Sequence, residues 1–258
     1  MKLLAVDVGN SRVAFGVFQD GQLSQTEHHQ LGPDQNKLTE AAQVWGELTI
    51  DQGGPAVLAS VNPPIGQLVR QALIEDLGLK VLNVGQDLPL PMKVDLPAPE
   101  KVGVDRILNA AAAYERIKGP LAVVDAGTAI TVDCVSGEGV FLGGAIMPGF
   151  GLSARILHEG TALLPQVELI KPEWNYGRDT QQAISAGIFF GALGAIREII
   201  ERYATQLRAW PTTIITGGDG QLIRSECDFI QAYVPELTLL GIELAYRSAA
   251  PELEGTTQ

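Results

Sequence analysis

The sequence predicts an α/β protein built as two similar halves in series, and three observations carry that expectation. Short apolar, β-rich runs alternate with helical stretches along the first third of the 258 residues. An apolar run ending in Asp-x-Gly, followed by a second apolar run, occurs twice: "LAVDVGNSRVAFGVF" and "LAVVDAGTAITVDCV". The aspartates of the two copies, Asp7 and Asp125, stand 118 positions apart (125 − 7), near half the chain, as a duplicated unit would place them.

Composition sets the outer limits. With 46% hydrophobic and 19% charged residues the chain is globular, and its length suits one large domain or two average ones. The net charge is −12 and Lys and Arg are scattered, which argues against a nucleic-acid partner. An acidic chain that binds an anion needs local devices: an Arg, helix N-termini, backbone N–H groups or a metal. The 29 glycines point to tight turns and close backbone approaches. Cys134 and Cys227 have neither metal spacing nor a disulfide pattern. His28, His29 and His158 read as ordinary surface or helix residues. The N-terminal apolar stretch stops at Asp7, unlike a signal peptide, and no unbroken apolar run approaches the roughly 18 residues of a membrane span. The expectation is a soluble, cytoplasmic protein with no membrane partner.

The elements follow in order. Residues 2–8 and 12–19 read as strands joined by the tight turn "GNS", and "GQL" at 21–23 marks another turn. Residues 35–50 carry Leu38, Ala41, Ala42, Trp45 and Leu48 on one helical face. "AVLASV" is a short buried strand; "PPIGQLVRQALIEDLG" opens with Pro and closes with Gly78, the punctuation of a helix. After a strand at 80–84, the Pro-rich residues 86–99 form an extended connector, and "GVDRILNAAAAYERI" is a helix. Strands follow over 120–135 and 139–150, helices near 151–159 and 179–207, a strand in "TTIITGGDG", a helix near 220–226 and a closing helix before the tail "PELEGTTQ". Two consecutive domains are expected, 1–116 and 117–258.

The repeated unit has physical content. A Gly two places after the Asp lets the turn close, and its N–H groups can face a phosphate. The Asp at the strand end can hold a cation that bridges phosphate oxygens, directly or through water. Two such turns facing each other across a cleft would clamp a nucleotide tail, and Gly217 and Gly218 would let a flat base or ribose lie against the backbone. No G-x-x-x-x-G-K-[ST] is present, and no G-x-G-x-x-G opens a helix after a strand, so neither common nucleotide loop applies.

"KVGVDR" lies where the connector becomes a helix. Asp105 reads either as a helix cap or as a proton acceptor for a hydroxyl, with Arg106 beside it to grip a carboxylate. Asp133 is read either as cleft-facing or on the outer sheet surface. Thr180 reads first as a helix-entry or N-cap residue. Gly187, Gly191 and Gly194 line one face of an apolar helix, which fits either an internal helix contact or a homodimer interface.

Together these blocks resemble the type III pantothenate kinases of the acetate/sugar kinase–Hsp70–actin superfamily. "DVGNSRVAFGVF" matches the phosphate loop D-x-G-N-T, "GVDR" matches G-x-D-R, and "DAGTAITVD" matches D-x-G-T-A-x-T-x-D. "GGAIMPG", "GRDTQQAISAGIFFG" and "TGGDG" follow in the family's order. The resemblance implies two similar actin-like (ribonuclease H-like) domains with an interdomain cleft. It implies ATP-dependent phosphorylation of pantothenate, the first step of coenzyme A synthesis, with Mg²⁺ and a monovalent cation, K⁺ or NH₄⁺. By the same resemblance Asp7, Val8, Gly9, Asn10, Ser11, Arg12, Val13 and Ala14 form the phosphate loop, Asp7 manages Mg²⁺, and Thr128 contacts ATP. Gly103, Val104, Asp105 and Arg106 hold pantothenate, with Asp105 as proton acceptor. Asp125 binds the monovalent cation, and Thr180 reaches the substrate from the partner subunit of a homodimer. Ser11 stands where the family has Thr and keeps the hydroxyl. Leu96 stands where the family often has Tyr, which removes a hydrogen bond to substrate. The rival readings are another small-molecule kinase of the same fold and a nucleotide-binding regulatory protein.

Overall fold

A computed structural model describes residues 2–50, 54–168, 170–173 and 175–255. The chain forms two compact units, residues 1–112 with 236–258, and residues 113–235.

The first unit is built on a five-stranded sheet in the order β3-β2-β1-β4-β5. β1 (Lys2–Val8), β2 (Arg12–Gln19) and β3 (Gln22–Gln30) form an antiparallel meander, and β4 (Ala56–Ser60) and β5 (Val81–Asn83) extend it in parallel from β1. The turn between β2 and β3 puts Asp20 and Gly21 at positive φ, 51° and 77°, the Asp-Gly signature of a tight hairpin. β1 is apolar nearly throughout because both faces are covered. Leu4, Val6 and Val8 pack with Leu38, Ala42 and Trp45 of α1 (Asn36–Ile50) and Val69 of α2 (Pro63–Gln71). Leu3 and Ala5, on the opposite face, pack with Leu108 of α3 (Val104–Ile117) and Leu239, Ile242 and Ala245 of α7 (Leu237–Gly255).

The second unit repeats the plan. β7 (Leu121–Ala126), β8 (Ala129–Val135) and β9 (Val140–Pro148) form an antiparallel meander, and β10 (Thr212–Thr216) and β11 (Ala232–Tyr233) run parallel from β7. The order β9-β8-β7-β10-β11 has the same senses as the first sheet, which is the duplication seen at the topological level. Ala122, Val124, Ile130 and Val132 pack with Phe150 of α4 (Phe150–Glu159) and with Phe189, Ile196 and Ile200 of α5 (Thr180–Leu207). The short α6 (Gly220–Arg224) follows β10.

Several elements differ from the sequence reading. The two units are not consecutive halves: residues 236–258 join the first because α7 buries its apolar side chains beside Leu3, Ala5 and Phe18. β3, with the sequence "QLSQTEHHQ", has no apolar alternation because it is a largely exposed edge strand, and His28 and His29 lie on it. Two-residue strands, β11 and β6 (Lys93–Val94), are too short to leave a periodic signal. α2 continues as a π-helical turn over Ala72–Asp76 before Gly78. α7 runs to Gly255, into the stretch expected as a tail, of which 256–258 lie outside the described residues. α5 is, by length and composition, apolar enough to cross a membrane, although no unbroken apolar run of that length stood out in the sequence. Its Phe189, Ile196 and Ile200 are buried in the unit's own core, and Ile184 is buried as well.

Candidate active site

In the first unit Asp7 stands at the carboxyl end of the central strand. It pairs with Ala14 across the antiparallel ladder and with Ala59 across the parallel one. The Gly9 N–H donates to the Arg12 carbonyl at 3.0 Å and closes a hairpin whose tip, Asn10 and Ser11, is exposed. Two neighbours brace it: the Val61 N–H donates to the Val8 carbonyl at 3.0 Å, and the Leu31 N–H to the Ser11 carbonyl at 2.8 Å.

In the second unit Asp125 holds the corresponding place, paired with Thr131 and with Thr216. This hairpin is one residue shorter: the Gly127 N–H donates to the Ala129 carbonyl at 3.0 Å, and Thr128 alone forms the tip. The parallel neighbour ends in Gly217, whose φ is +89°, where any L side chain is strained. A Cβ there would run into the Ala126 carbonyl and lie 2.6 Å from Asp125 Oδ1. Only a glycine can bring the backbone this close to Ala126 and the Asp125 carboxylate, and Gly218 is exposed next to it. A carboxylate among backbone carbonyls is an all-oxygen set, which fits a hard cation. Among the described residues no three His, Cys, Asp or Glu gather into a metal cluster, so a cation here would complete its shell with backbone and phosphate oxygens.

Asp133 is 1% exposed, which removes the outer-surface reading. Its Oδ2 accepts from the Thr131 hydroxyl at 3.2 Å, and Thr131 is the cross-strand partner of Asp125. Asp133 thus stiffens the wall of the second hairpin.

α3 begins at Val104, so Asp105 lies in its first turn and not at the N-cap. Asp105 Oδ1 accepts from the Arg106 N–H at 2.8 Å. A Cβ on Gly103 would lie 2.5 Å from the same oxygen, so Gly103 makes room for this side-chain position. Burial pushes the Asp105 carboxyl above the ordinary carboxylate range; the Arg106 N–H and the Arg106 charge oppose that push without cancelling it. A carboxyl of raised pKa can accept a proton from a hydroxyl, and an Arg beside it can pair with a carboxylate.

Thr180 is the first residue of α5, but the N-cap is Asp179, whose Oδ1 accepts from the Gln182 N–H at 2.8 Å. The Thr180 side chain is exposed. Gly187, Gly191 and Gly194 have nothing within 4 Å of where a Cβ would stand, and Phe190 beside them is 39% exposed. The internal-contact reading of that stripe therefore fails within the described residues of the chain.

The profile of the type III pantothenate kinase family matches residues 3–202. The chain belongs to the type III pantothenate kinase family. A member from Moorella thermoacetica is 36% identical over 252 residues, covering 95% of this chain and 98% of its own. Among solved structures, a Baf family protein from Campylobacter jejuni aligns with a TM-score of 0.64 at 22% identity, covering 96% of this chain and 99% of its own. MreB 5 of Spiroplasma citri, bound to AMPPNP, aligns at TM-score 0.50 and 11% identity over 99% of this chain and 98% of its own. The fold is actin-like, with the duplicated sheet expected of the family. The type III kinase motifs fall on the two hairpins, the start of α3 and the start of α5.

Proposed function

We propose that this chain phosphorylates pantothenate with ATP, giving 4′-phosphopantothenate at the first step of coenzyme A synthesis. The observation that carries the reading is the desolvated Asp105 carboxyl beside Arg106 at the head of α3, in a chain with two Asp-x-Gly hairpins at corresponding sheet positions.

The hairpin Asp7–Ala14 receives the β- and γ-phosphates on its backbone N–H groups. Thr128, Gly217 and Gly218 contact the rest of ATP. Asp7 would hold Mg²⁺, directly or through water, and Asp125 would hold K⁺ or NH₄⁺; such cations would supply charge neutralisation for the phosphates. Arg106 grips the pantothenate carboxylate, helped by Gly103 and Val104. The primary hydroxyl oxygen bonds to the γ-phosphorus, the bond to the β–γ bridging oxygen breaks, ADP leaves, and the hydroxyl proton passes to Asp105. Positioning and charge stabilisation supply most of the acceleration, as in other phosphoryl transfers.

The exposed Gly187–Phe190–Gly191–Gly194 face of α5 supports a homodimer in which Thr180 completes the partner's substrate site. The same reading places the enzyme in the cytoplasm. The deciding assay measures ATP consumption with and without pantothenate in potassium and in sodium buffers. Pantothenate-dependent turnover, faster in potassium, is expected. No such turnover in either buffer would instead leave a nucleotide-binding regulatory protein.

A further inference from the structure

The face of α3 beyond its first turn is almost wholly apolar: Ile107, Leu108, Ala110, Ala111, Ala112 and Ala113 are all buried. Asn109 interrupts that run, and it is itself only 1% exposed. The Thr238 hydroxyl of α7 donates to Asn109 Oδ1 at 2.8 Å. One turn along α7, a Cβ on Gly241 would collide with the Leu108 carbonyl, so the two helices touch backbone to side at this point. The start of α7 is tied down in turn, with Glu236 Oε1 3.0 Å from His28 Nε2 of β3. Asn109 lies four residues after Asp105, one helical turn away on the same side.

We infer that Asn109 is a positioning residue for Asp105: through Thr238 it fixes the register and rotation of α3 against α7. An apolar pair of the same shape would fill this space at little or no cost in stability. The close approach of Gly241 to Leu108 sets where the two helices touch, and one buried directional hydrogen bond adds an angular restraint that apolar packing specifies less sharply. A carboxylate displaced by about 1 Å can lose about a hundredfold in rate, so a small rotation of α3 reaches the chemistry. The inference rests on the assignment of Asp105 as proton acceptor.

The test compares Thr238→Val, Thr238→Ser, the pair Asn109→Leu/Thr238→Val, and Asp105→Asn, each by steady-state kinetics across pH and by thermal melting. Thr238→Val should lower kcat about tenfold, leave KM for ATP unchanged, and shift the acid limb of the kcat profile; Thr238→Ser should restore both. The double variant removes both partners of this hydrogen bond with side chains of similar volume, its melting curve reports whether it folds, and it should show the same kinetic loss. A lower melting temperature with wild-type kcat and acid limb in Thr238→Val or in the double variant would overturn the inference and leave the bond purely structural. The proton-acceptor reading fails separately, by near-normal turnover of Asp105→Asn.

Discussion

The two Asp-x-Gly hairpins occupy equivalent places in equivalent sheets, yet they are built differently. The first has a two-residue exposed tip, Asn10 and Ser11, and its parallel neighbour continues through Ser60 into Val61. The second has a one-residue tip, Thr128, and its neighbour breaks into Gly217 against the aspartate itself. A longer tip presents more backbone N–H groups to an anion. A shorter one brings a glycine backbone up against the carboxylate. One duplicated topology is thus built in two ways, and the difference lies in a single inserted residue and one left-handed glycine; the proposed function gives the two hairpins different jobs.

The proposed function gives the proton chemistry to Asp105 in the first unit, and the sharpest way to break that assignment is Asp105→Asn. Turnover should fall by about 10²–10⁴-fold with ATP affinity retained, measured by steady-state kinetics and nucleotide titration. If the same loss appears only in Asp125→Asn, the roles are reversed. The raised pKa of Asp105 also has a stability consequence. Its contribution is fully present below the ordinary carboxylate value and is lost as pH rises through the raised folded value. Asp105→Asn should therefore melt higher than wild type near neutral pH, with the gain vanishing below about pH 4. Equal melting at both pH values would remove the desolvation argument.

Asp125→Asn sharpens the second half of the comparison. It should abolish the difference between potassium and sodium buffers, whereas Asp7→Asn should slow turnover in both while keeping their ratio. A surviving cation preference in Asp125→Asn would move the monovalent site elsewhere.

The glycines offer a smaller effect. Gly217→Ala combines a positive φ with a collision at Ala126 and should cost about 1–3 kcal/mol by denaturant melting and raise KM for ATP. Gly9→Ala meets only the Arg12 carbonyl, at 3.2 Å, and should cost less. Equal losses would say that the two turns are interchangeable.

The smallest expected effect is at the cysteines. Burial, and next the Asp133 charge, push the Cys134 thiol up to about 11. Neither Cys134 nor Cys227 is exposed, so a thiol reagent at neutral pH should label native protein slowly and unfolded protein fast. Rapid native labelling of Cys134 would show that the second sheet opens locally.

Much of this is legible in the sequence. The runs at 2–8 and 12–19 match β1 and β2 because a central strand buried on both faces must be apolar and its hairpin needs glycine. "GVDR" was legible as a helix start, and the spacing of Asp7 and Asp125 as a duplication. β3 was not legible, because a solvated edge strand places no demand on hydrophobic alternation. Nor was the role of Thr180 against Asp179, because two adjacent residues with capping side chains differ only by which one the backbone leaves outside the helix.

By itself the sequence determined the local grammar: which runs are strands, where turns require glycine, and which carboxylates sit at strand or helix ends. Those features follow from nearest-neighbour sterics and side-chain periodicity, so they are written within a few residues of each site. The tertiary structure alone decided that residues 236–258 belong with the first unit, that Asp133 is buried, and that Asn109 meets Thr238. Each of those depends on contact between segments distant in the chain, where a helix is assigned to a sheet by the fit of its buried face and not by its order along the sequence.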